Sequence, residues 1–74
     1  MKLYVLTHCA AEENYTPEVY KSKEKAVERL KDIYEQCIGE GDYVASDDLY
    51  DTAARITYVD DTYDRLDIFE VEVK

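Results

Sequence analysis

Seventy-four residues with a mass of 8.7 kDa amount to one small domain, residues 1–74, because domains run at roughly 100–200 residues each. The chain is 46% hydrophobic with eight Tyr, two Gly and one Pro, a composition that excludes disordered, collagen-like and linker classes. Nine basic against 18 acidic residues leave a net charge of −9, which excludes direct binding to nucleic acid or to an anionic membrane surface.

Along the chain, Met1 to His8 carry one Lys and a four-residue apolar run, Leu3 to Leu6. That run is too short for a signal-peptide core or for the ~20 residues of a membrane span, so a cytoplasmic location is expected. Leu3, Val5 and Thr7 alternate with Tyr4 and Leu6, the pattern of a strand covered on both sides. Residues 10–17 have no period and end in Pro17, so they read as a loop to a short strand at Glu18 to Lys21, closing a long-looped hairpin. The clearest signal follows. Ser22 is a good N-cap, Glu24 sits in the first turn, and Ala26, Val27, Leu30, Ile33, Tyr34, Cys37 and Ile38 trace one helical stripe. A helix over Lys23 to Ile38 ends at Gly39 or Gly41.

Ser46 to Ala54 read as a short second helix, N-capped by Ser46 with Leu49 and Ala53 on its buried edge. Arg55 to Val59 and Arg65 to Lys74 are rich in β-branched and aromatic residues and read as strands joined by a turn at Asp60 to Asp64. The apolar phase of the last strand slips between Ile68 and Phe69, the mark of a bulge there or of cover on both faces. The expected fold is α+β: an antiparallel four-stranded sheet in the order β-β-α-(α)-β-β, with the main helix and the optional short one on one face.

Chemistry-bearing patterns are sparse. The one histidine, His8, adjoins Cys9, but neighbours in a strand point to opposite faces, and His8 reads as a surface polar residue at a strand end. Cys9 and Cys37 lack a CxxC spacing and read as small, reduced core residues, with a disulfide between them as the lesser alternative. There is no HExxH, no glycine-rich phosphate loop and no calcium loop; counted from Asp60, Arg65 stands where such a loop needs glycine and Val71 where it needs glutamate. No catalytic residue, metal ligand or cofactor is therefore assigned, and an enzyme is not expected.

Charge is the feature that stands apart. Residues 1–31 hold six basic and five acidic side chains, whereas residues 32–74 hold three and thirteen. A pentad, D-D-x-Y-D, occurs at Asp47, Asp48, Tyr50 and Asp51 and again at Asp60, Asp61, Tyr63 and Asp64. Glu24, Glu28 and Asp32 add an acidic row along the helix. Uncompensated like charge strains a thin fold unless a basic surface answers it, and Tyr15, Tyr43, Tyr50 and Tyr63 in polar segments suit interface anchors.

In length and acidity the chain resembles small proteins of phages and mobile elements, some of which are DNA mimics that block restriction or CRISPR nucleases. Its strand-loop-strand outline and its SKEKAVERL helix start are also similar to many short bacterial proteins. The first resemblance implies an anti-defence role but transfers no residue's function. The expected function is a non-enzymatic acidic module that binds a basic protein surface, most concretely a nucleic-acid-binding enzyme or nuclease, through the eight pentad residues. The alternative is a structural or regulatory domain whose acidity serves solubility alone. Whichever holds, a homodimer through the sheet face carrying Tyr4 and Leu6 is left open, if the helix covers Leu3 and Val5.

Overall fold

The helix forms over the residues its caps mark. In this computed structural model, which describes residues 1–11 and 13–74, α1 runs Lys23–Ile38. The Ser22 hydroxyl accepts from the Lys25 N–H, satisfying one of the orphan donors of the first turn. At the other end Gly39 takes a positive φ of 55° and donates its N–H to the Glu35 carbonyl. The stripe behaves as its spacing requires: Ala26, Leu30 and Ile33 are buried, with Tyr34 and Cys37 partly buried beside them.

The sheet has five strands: β1 (Lys2–Ala10), β2 (Glu18–Tyr20), β3 (Val44–Leu49), β4 (Ala53–Tyr58) and β5 (Tyr63–Glu72). They lie in the order β2-β1-β5-β4-β3, every pair antiparallel. The long-looped hairpin of β1 and β2 is present; of its loop, expected over 10–17, Ala10 belongs to β1 and Glu12 lies outside the described residues.

The four-stranded sheet and the short second helix expected over 46–54 are corrected by β3. Ser46 to Leu49 pair with Thr57 to Ala54 of β4, and Tyr50 donates its N–H to the Ala53 carbonyl across a tight turn. The Ser46 cap and the aspartates after it suit a helix locally. Pairing overrides that preference, because β4 carries the buried Ala54 and Ile56 and gains a neighbour along its outer edge.

Pairing register decides which side chains meet the helix. Leu6 opposes Ile68, His8 opposes Leu66 and Ala54 opposes Leu66, and these residues face α1, where Leu6, Leu30, Ile33, Ala54 and Leu66 form one core cluster. The helix therefore covers the Tyr4 and Leu6 side of β1, and Leu3 and Val5 lie on the bare side, the reverse of the assignment used for a dimer. The expected cover on both sides of β1 is corrected too, since Val19, Phe69 and Val71 around Leu3 and Val5 are exposed. The slip of apolar phase at Ile68 and Phe69 has the same origin. β5 pairs with β1 in unbroken register through both residues, so there is no bulge: Ile68 faces the helix and Phe69, Val71 and Val73 do not. The register shift in the sheet lies in β3, between Val44 and Ser46. Among the described residues no helix is long and apolar enough to cross a membrane.

Leu30 is fully buried at the centre of this single layer of contact. Leu30→Ala is expected to cost about 2–5 kcal/mol, most of the stability of so small a domain. Urea denaturation followed by circular dichroism reads it; a midpoint unchanged from the parent would show that the stripe is not the core.

Candidate functional site

Folding separates the eight residues of the two pentads into a rim and an interior. β3 is an outer strand, and Asp47, Asp48, Tyr50 and Asp51 lie exposed along it and in the turn that follows. Asp60 and Asp61 occupy the turn at the opposite end of β4, about 20 Å away at ~3.3 Å per residue. That turn is built from its own aspartates: Asp60 Oδ1 accepts from the Thr62 N–H at 3.1 Å, and Asp61 takes a φ of 70°, which Asp tolerates better than most residues. Tyr63, in the first position of β5, is exposed on the face opposite the helix. The Tyr34 hydroxyl donates to Asp47, and chiefly because of that bond its phenol is pushed up to about 12. Asp51 meets Lys23 Nζ at 3.3 Å.

Asp64 belongs to a different structure. Its side chain is 14% exposed and faces the C-terminal half of α1. Asp64 Oδ1 lies 2.6 Å from His8 Nε2, and because a carboxylate only accepts, Nε2 carries the proton. Oδ2 lies 2.5 Å from the Tyr58 hydroxyl, whose single proton it takes; the Cys37 carbonyl stands farther off, at 3.4 Å. Burial first, and the bond to Asp64 second, raise the Tyr58 phenol far above its ordinary value and keep it a donor.

His8 is thus not the surface residue its sequence position suggests. β1 continues two residues beyond it, its parity aims it at the helix, and Tyr15 stacks on its ring at a centroid distance of 4.2 Å. Cys9 takes the opposite parity. Neither cysteine is in a disulfide; both are half-buried rather than core.

Cys37 completes the group. Its Sγ, a His8 ring nitrogen and an Asp64 oxygen all lie within 4.8 Å of one another, a mixed S, N and O donor set of the kind that can hold a metal. Burial first, and the Asp64 carboxylate second, push the Cys37 thiol up. A cavity of about 300 Å³ opens beside His8 and Cys37, with Tyr15, Glu18 and Arg29 among its walls. Across it Arg29 Nε lies 3.1 Å from Glu18 Oε1, and the Tyr20 hydroxyl, then Arg29, hold the Glu18 carboxyl below its ordinary value.

The reading of the sequence missed His8, Tyr58 and Cys37 as a group. One signal was available: His8 shares the parity of Leu6 in β1, and Cys37 continues the stripe of Leu30 and Ile33, so both lie on the surfaces that close on each other. No family model matches this chain, and no curated protein or solved structure matches it.

Asp64→Asn is expected to cost about 2 kcal/mol, because two donors lose a charged acceptor in a largely enclosed site, whereas Asp48→Asn on the rim should change stability by less than about 0.5 kcal/mol. Equal losses in paired urea melts would contradict the division into rim and interior. Tyr34 supplies a pH prediction. Its folded pKa lies above the ordinary 10.0, so its contribution to stability is whole below pH 10 and is lost as pH rises through about 12. In an alkaline absorbance titration, Asp47→Asn should return that phenol toward its ordinary value while the other tyrosines stay put.

Proposed function

We propose that the chain is a non-enzymatic acidic binding module whose exposed aspartates, along β3 and the turn after it and in the turn between β4 and β5, engage a basic protein surface. One observation carries this reading: Asp47, Asp48, Asp51, Asp60 and Asp61 all stay exposed after folding, and among the described residues only Asp51 of these five meets a cation. Their charge is left for a partner to answer. β3 lies at the edge of the sheet, so the outer backbone groups of the same strand are open to an added segment. Tyr50, Tyr63 and Tyr43 are exposed near the same aspartates and supply aromatic anchors. The finer form of the proposal is a nucleic-acid mimic, with these five carboxylates standing in for phosphates in the channel of a nuclease or DNA-binding enzyme. Asp64, held by His8 and Tyr58, is dropped from that set.

A second reading is favoured by the bare sheet face. Leu3, Val5, Val19, Phe69 and Val71 adjoin there, and the charges farther along the same face, Arg55, Arg65 and Asp67, answer one another, so a second copy of a strongly acidic chain meets no unanswered carboxylate among these residues. In that case the chain is a structural or regulatory homodimer whose acidity keeps it dispersed.

Capture from cell lysate by the immobilised chain, at low and at high salt, tests the first reading against the second. A basic protein should be retained at low salt and released at high salt, since exposed charge pairs are screened beyond ~8 Å at physiological ionic strength. Purified, that protein should lose its binding when the five aspartates become Asn. A partner indifferent to those changes overturns the proposal, and capture of nothing by a chain that sediments at twice 8.7 kDa supports the homodimer instead.

A further inference from the structure

The group formed by His8, Cys37 and Asp64 has no part in the acidic rim, and its chemistry points elsewhere. Three separate elements, β1, α1 and β5, each deliver one donor to the same point, although the residues are 27 or more positions apart in sequence. The donors are an imidazole nitrogen, a thiol sulfur and a carboxylate oxygen, a set suited to a borderline-soft ion and poorly suited to magnesium or calcium, which take oxygen.

We propose that His8, Cys37 and Asp64 form a binding site for a divalent transition-metal ion of the zinc class, with a fourth position opening toward the cavity between β1 and α1. Tetrahedral zinc places its donors roughly 3.3–3.8 Å from one another, given bonds of ~2.0–2.3 Å. The atoms here all lie within 4.8 Å, so side-chain rotation of about 1 Å closes the site, the 2.6 Å His8 to Asp64 contact opening to admit the ion.

Charge balances as well. One thiolate and one carboxylate neutralise a divalent ion, with the Cys37 proton released to solvent on binding. The surroundings are those of a supported site. Tyr58 donates to Asp64 Oδ2, fixing the carboxylate from behind, and Tyr15 stacks on the imidazole and holds its plane. The cavity of about 300 Å³ beside His8 and Cys37 leaves room for water or a small donor ligand in the fourth position. No CxxC or HExxH spacing announces such a site, because each ligand comes from a different element.

Cobalt(II) added to the reduced protein provides the test, since thiolate coordination gives a charge-transfer band and tetrahedral geometry an intense visible spectrum. One equivalent should saturate both, and zinc should bleach them. Cys37→Ser and His8→Gln should abolish the band, Cys9→Ser should leave it unchanged, and Tyr58→Phe should weaken binding about tenfold, the usual effect of losing an outer partner. A folded protein without the band, or a band that survives Cys37→Ser, overturns the assignment. Should the ligand variants unfold, the Cys9→Ser protein keeps Cys37 as its single thiol. Zinc must then slow alkylation of Cys37, and alkylation at an unaltered rate refutes the site.

Discussion

A single helix has to cover five strands. At 16 residues α1 is about 24 Å long and, with side chains, ~10 Å wide, whereas five strands at ~4.8 Å spacing span roughly 19 Å across. The helix therefore seals the middle of the sheet and leaves its margins open. Among the described residues the buried apolar ones, Leu6, Ala26, Leu30, Ile33, Ala54, Ile56 and Leu66, lie on α1 or on β1, β4 and β5. β3 lies beyond that cover, and all of it except Val44 is exposed. Among the described residues no second layer covers the opposite face of the sheet.

That limited cover sorts the polar residues into two environments. Near the C-terminal end of α1 the stripe includes Cys37, and the strands beneath it present His8, Tyr58 and Asp64 instead of aliphatic side chains. Enclosed carboxylates and imidazoles are costly unless paired. Here each one is: Asp64 accepts from both His8 and Tyr58, and among the described residues no buried side-chain polar atom lacks a partner. The result is a rigid polar knot at one end of an otherwise aliphatic layer, with a thiol beside it and a cavity in front. On β3, by contrast, the aspartates stay exposed to water.

The two D-D-x-Y-D pentads illustrate why pattern alone does not assign role. They are identical in type at four positions, yet Asp51 ends in a solvent-exposed turn and Asp64 in a largely enclosed hydrogen-bonded pair. The first pentad runs out along an edge strand and its hairpin turn. The second turns the corner from β4 to β5, and its last aspartate enters a central strand on the side facing the helix. Sheet position, not local sequence, separates them.

What the sequence by itself determined is what neighbouring residues settle among themselves: the helix from Lys23 to Ile38, its Ser22 cap and a glycine stop at Gly39 or Gly41, its buried stripe, the hairpin of β1 and β2, and the uneven charge. Helix caps and apolar periodicity act within a few residues, so they are legible without knowing the rest of the chain. Only the tertiary structure decided that Ser46 to Leu49 form a strand, because the gain comes from β4, whose partners lie up to eleven residues onward. It alone decided which face of β1 meets the helix, since both faces carry apolar residues and the choice follows from the register with β5. It alone brought His8, Cys37 and Asp64 together. Each donor is positioned by a separate element, and the distance between them is a property of how helix and sheet pack, which no spacing along the chain encodes.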